Sequence, residues 1–138
     1  MKRFLALTFC LALLGASNPP VAVESATGDW SRLQSLNQNG YEHLDAKVMA
    51  RLYQIAKNGQ CSLSGYDRDG LHFEMSFAAQ FDPSGSVRRI VIPKLNCPEA
   101  EGIIGGALLA MIEAGDYRPT GKSTHDGWYR GEFAFGFE

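Results

Sequence analysis

Between Leu71 and Phe81 the chain alternates apolar and polar residues with a period of two, and no other stretch limits its fold as tightly. Leu71, Phe73, Met75, Phe77, Ala79 and Phe81 fall on one side, and His72, Glu74, Ser76, Ala78 and Gln80 on the other. Such a pattern is a strand with one buried and one wet face. Asp82-Pro83-Ser84-Gly85 follows directly. Proline presets the first turn residue and glycine accepts a positive φ, so the chain reverses into a second strand from Val87 to about Pro93. The two strands make an antiparallel hairpin.

Helical spacing brackets this hairpin. Leu44, Val48, Leu52 and Ile55 form one apolar stripe, with Asp45 at its N-terminal end and Asn58-Gly59 to stop it. A short extended piece around Cys61 to Leu63 and a turn at Asp67-Arg68-Asp69-Gly70 lead into the long strand. Beyond the hairpin, Asn96 is placed to cap a helix, Pro98 fits its first turn, and Glu99 can reach back to the cap. Ile103, Ile104, Ala107, Leu108, Met111 and Ile112 supply its stripe, and Gly115 closes it. Gly105-Gly106 in its middle costs ~1 kcal/mol per residue relative to alanine, which fits either close approach to the sheet or a local kink.

After Tyr117-Arg118-Pro119 and a polar loop from Thr120 to Gly127, the last element runs from Trp128 to Glu138. It sets Tyr129, Gly131, Phe133, Phe135 and Phe137 against Trp128, Arg130, Glu132, Ala134 and Gly136, a third strand with an aromatic inner face. The order helix, strand, strand, helix, strand predicts an α+β fold: a small three-stranded antiparallel sheet with helices packed on one face.

The N-terminus has the three parts of a secretory signal: Lys2 and Arg3, an apolar run from Phe4 to Leu14, and the small residues Gly15, Ala16 and Ser17. The run is too short for a spanning helix, which needs ~20 residues. Residues 1–17 are therefore expected to be cleaved, with a cut as late as Ala26 as the alternative, and no membrane span remains. Cys10 leaves with the signal, and Leu7-Thr8-Phe9 before it lacks the small residues of a lipoprotein site. Residues 18–40 have little periodicity and read as a spacer with at most a turn of helix around Trp30 to Leu36. Residues 41–138 form the single domain.

Without Lys2 and Arg3, 11 basic residues face 15 acidic ones, a formal charge of −4. That balance argues against nucleic acid or an anionic membrane as partner, since both need a basic face. Cys61 and Cys97 remain, and export places them where disulfides persist. Bonded, they close a loop of about 36 residues, for which the chain-entropy model gives roughly 4 kcal/mol. The alternative is two buried free thiols. No pair of Cys or His residues has metal-ligand spacing, and no cofactor is expected.

From Phe73 to Phe137 the chain resembles the C-terminal domain of TonB and the related domain of TolA. The likeness rests on the alternating strand, the D-x-x-G hairpin at Asp82 to Gly85 followed by Val87, and the alanine- and leucine-bearing helix from Asn96. It continues through the aromatic-Arg-Pro exit at Tyr117-Arg118-Pro119 to the last strand with its alternating phenylalanines. TolA-type domains are similar in placing one cysteine after a first helix and its partner at the start of the next, where Cys61 and Cys97 stand. The proline-rich spanner of TonB and a Gln-Pro-x-Tyr-Pro-like segment are absent. A spacer of 23 residues reaches only ~25 to 30 Å as a flexible coil, so a stand-alone periplasmic or secreted domain is expected rather than a long-reach energy transducer.

The resemblance implies a non-catalytic binding module. Its last strand, Trp128, Tyr129, Arg130, Gly131, Glu132, Phe133, Ala134 and Phe135, would offer a free edge to an extended peptide or envelope protein. The competing use of that strand is pairing with a second copy of the chain. A secreted inhibitor or small-ligand carrier is the alternative function. For an enzyme, the candidate acid/base groups are His72, His125, Glu74, Asp67 and Asp69, and they form no recognisable constellation.

Overall fold

The computed structural model describes residues 20–39, 45–67 and 69–137. The signal reading at 1–17, Leu44 of the first helical stripe and the side chains of Phe135 and Phe137 lie outside the described residues. The hairpin is as expected: β5 (Gly70–Phe81) runs antiparallel to β6 (Val87–Pro93), with Ala79 opposite Ile90 and an irregularity at Gln80/Phe81. In the turn, one Asp82 carboxylate oxygen accepts from the Ser84 and Ser86 N–H groups at 2.9 and 3.0 Å, and Gly85 takes a φ of 85°. On the other side of β5 lies β8 (Trp128–Phe137), antiparallel from Leu71↔Phe137 to Gln80↔Trp128.

One face of this sheet carries the core. Leu71, Phe77, Ile90 and Phe133 are fully buried there, in one cluster with Leu52 and Ile55 of α1 (Ala46–Lys57) and Ile104 and Leu108 of α2 (Pro98–Glu113). Both helices therefore cover the same face. Asp45 caps α1, its Oδ1 accepting from the Lys47 N–H at 2.9 Å, and Gly59 follows the helix at a φ of 71°.

The sheet is larger than three strands and is mixed, which corrects the expected small antiparallel sheet. β1 (Ala22–Ala26) adds to β6 in parallel, and β2 (Gln34–Ser35) adds to β8 in parallel. β4 (Tyr66–Asp67) pairs with the start of β5, making six strands whose main order is β1-β6-β5-β8-β2. β3 (Asn37–Gln38) and β7 (Tyr117–Arg118) form a separate antiparallel pair. The stretch read as a spacer thus holds three strands. Each is two to five residues long and gains its hydrogen bonds from a partner far along the chain, so no local period announces it.

β1 and β2 sit at opposite ends of the strand order, so the residues between them cross the face of the sheet away from the helices. Ala78 and Val91 point to that face and are nevertheless 1% and 9% exposed. Gly28, Asp29, Trp30 and Ser31 of the crossing line a small cleft with Ser76, Pro93 and Arg130.

The start of α2 also departs from expectation. Its N-cap is Cys97, with φ −146° and no side-chain capping bond, while Asn96 is left-handed at φ 57°. A sulfur committed to a disulfide cannot cap, and Cys97 is joined to Cys61, with their Cα atoms 5.7 Å apart. Glu101 takes the reaching-back role expected of Glu99, accepting from the Leu95 N–H at 3.3 Å. Of the two central glycines, Gly105 stands against Val23 of β1, whereas a Cβ at Gly106 would meet nothing within 4 Å. Close approach, not a kink, explains the first.

Candidate binding edge of the sheet

A sheet binds an extended partner where a strand has backbone groups left over. Their positions follow from the register. The Leu36 N–H donates to the Arg130 carbonyl at 2.7 Å, so Arg130 directs its backbone away from β5. Ala78, opposite Arg130, must then direct its own groups toward β6 and exchange bonds with Val91. Alternation leaves Ile90 and Ile92 facing β1, where parallel geometry joins them to Ala22, Glu24 and Ala26. The N–H and C=O of Val23 and Ser25 therefore point outward, and no backbone bond to another described residue takes them up. On the β6 side Glu24 holds Arg89 in an ion pair of 2.9 Å, and the Arg89 guanidinium lies 5.4 Å from the Trp128 ring centre.

The last strand is differently placed. β2 lies along Tyr129 and Arg130, the Arg130 Nη2 donates to Ser35 Oγ at 3.1 Å, and the Tyr117 hydroxyl donates to the Glu132 carbonyl at 2.8 Å. Thr120 fastens β2 further, its Oγ1 donating to the Ser35 carbonyl at 2.7 Å, and the Gln34 side-chain amide donates to the Thr120 carbonyl. Tyr129 and Phe133 are buried in the core beside Gly131. Trp128, Arg130, Glu132 and Ala134 occupy the outer face, where Glu132 accepts from the Ser76 hydroxyl at 2.8 Å. Of Phe135 only the backbone is described, opposite Phe73.

The acid/base candidates are spread out. His72 is near the end of β5 that faces Gly136, while His125 precedes Trp128 at the other end of the same sheet. Eight residues of strand separate those ends, roughly 26 Å. Asp67 is spent on the turn into β5, its Oδ1 accepting from the Asp69 and Gly70 N–H groups at 2.8 and 3.0 Å. Among the described residues none that is polar or charged is buried.

The β1 edge escaped the sequence reading. Its one signal is the alternation of Val21, Val23 and Ser25, three positions that a signal-proximal, Pro-flanked context makes easy to pass over. No protein-family model, curated protein or solved structure matches the chain, so the likeness to the TonB and TolA domains rests on its residues alone.

Proposed function

We propose that this chain is an exported, non-catalytic binding module that takes an extended segment of an envelope protein or peptide as an added strand of its sheet. The observation that carries the reading is the outward-directed Val23 and Ser25 backbone along β1. Four main-chain donors and acceptors in a row are what strand addition uses for affinity, with side chains on either face supplying selectivity. Addition at Trp128–Phe135 would first have to displace β2 from Tyr129 and Arg130, which is why the β1 edge is the preferred place. Export is supported by the signal-like N-terminus and by the Cys61–Cys97 bond. Among the described residues no helix is long and apolar enough to cross a membrane.

The test uses proline. At residue 25 it removes an outward donor and leaves the β1–β6 bonds in place, because an edge strand tolerates proline on its free side. Extended peptides selected from a random displayed library against residues 18–138 should bind the parent and Ser25→Ala, and lose at least about tenfold in affinity, ~1.4 kcal/mol, toward Ser25→Pro. Selected peptides that bind Ser25→Pro undiminished, with the variant's fold intact by NMR, would overturn the reading.

A further inference from the structure

An edge that takes up a foreign strand can also take up its own copy. The inference rests on the strand-addition reading, because both occupants use the same row of backbone groups on β1. Natural edge strands deter self-pairing with lysine, proline or a bulge. β1 has none of these: its sequence is AVESA, and its register against β6 runs unbroken from Ala22↔Arg89 to Ala26↔Pro93. It also stands at the end of the strand order, with no described strand beyond it.

Symmetry and side chains select one register. Val23 and Ser25 direct their backbones outward, so a two-fold axis between antiparallel copies can set Val23 opposite Ser25, Ser25 opposite Ser25, or Val23 opposite Val23. The first makes the two Glu24 side chains direct cross-strand neighbours, and like charges so placed repel. The second keeps the valines apart. The third sets valine against valine on the helix side, where Val23 is 38% exposed and the one exposed large hydrophobic among the described residues. It also places Glu24 opposite Ala22 of the second copy, and Glu24 keeps its ion pair with Arg89 of its own chain.

The helix layer admits this register. α2 packs on β1 and β6 together, so its axis lies about half a strand spacing inside β1. With strands ~4.8 Å apart, the two α2 axes come to lie roughly 10 Å apart on one side of the joined sheet, a distance at which helices pack. Gly105 is the α2 residue against Val23. With the antiparallel helices level at Gly105, Glu101 comes level with Leu109 of the second copy, Glu99 with Met111 and Glu113 with Cys97, so no acid of α2 opposes an acid.

We infer that two copies of this chain pair antiparallel through β1 about a two-fold axis at Val23, joining their sheets edge to edge, and that an incoming peptide strand binds by displacing the second copy. Self-pairing then covers the edge whenever no peptide holds it, and regulates its availability.

Sedimentation equilibrium of residues 18–138 over a concentration series up to ~1 mM should show monomer giving way to dimer. In the 15N-labelled chain the Val23 and Ser25 amides should gain exchange protection over the same series. Val23→Lys, which sets like charges across the axis, and Ser25→Pro should each weaken the dimer about tenfold or more, with the fold of each variant checked by its NMR spectrum. Library-selected peptides that bind the parent should dissociate the dimer, and their apparent affinity should fall as protein concentration rises. A monomer at every concentration would overturn self-pairing, and peptides that still protect Val23 and Ser25 would leave the strand-addition reading standing. Peptides that bind and leave the dimer whole would overturn addition at β1 and leave self-pairing standing. A dimer that both folded variants leave at full strength would overturn the axis at Val23.

Discussion

Gly105 and Gly106 are chain neighbours in α2 with opposite obligations. A Cβ at 105 would overlap the Val23 Cγ1, so Gly105→Ala forces Val23 out of its rotamer or β1 away from the helix. A Cβ at 106 meets nothing within 4 Å. Gly105→Ala is expected to destabilise by about 1 to 3 kcal/mol, and Gly106→Ala to stabilise by about 1 kcal/mol through helix propensity; urea denaturation of the two variants reads both signs. Asp82 makes a second residue-scale case. The Ser84 hydroxyl, then the Ser86 N–H, and also Arg88 hold its carboxyl down at about 2. A depressed carboxyl stabilises the folded state above its unfolded value, and that contribution disappears as pH falls through about 2. A carboxyl-carbon NMR titration should find Asp82 well below the ordinary aspartate value, and Asp82→Asn should flatten the fall in stability below pH ~4. Both sites were half legible in the sequence. The turn residues name the turn, and the glycine pair signals something unusual, but which glycine touches a strand depends on Val23, which lies 82 positions earlier.

Elements with a long period announced themselves. β5 has six apolar residues at every second place and α2 has its stripe at helical spacing, so each element's own side chains state which face is buried. β1 offers five residues, none of them buried, and β2 offers two; their bonding is decided by β6 and β8. The same dependence on a distant partner set the start of α2, where the disulfide took Cys97 out of reach of a capping role and Asn96 was turned left-handed. The bond also ties the exit of α1 to the entry of α2. Cys61→Ser/Cys97→Ser should lower stability by roughly 4 kcal/mol on the chain-entropy model, with the mixed sheet retained by circular dichroism. A loss near zero in guanidinium denaturation would mean that the two helices are held in place without it.

For the molecule as a whole, the N-terminal stretch is structural and not a tether. Removing residues 20–26 strips about four ladder hydrogen bonds from β6, about 4 kcal/mol at ~1 kcal/mol each, and bares the Ile90 and Ile92 backbone to self-association. A true spacer would be removable without cost, and thermal melts with light scattering distinguish the two outcomes. The crossing from β1 to β2 carries a further consequence in time. Ser35 meets Arg130 from 95 positions away, and β5 finds its full-length partner only in β8. Were the chain exported as proposed, N-terminus first, it would deliver early the segment that is placed last. Until Trp128–Phe137 has emerged, the phenylalanines of β5 lack that cover, and loop-closure entropy delays the sheet further. Such a protein should depend on a holding chaperone during release, and its refolding from urea should be slow, with β2 docking as the final step.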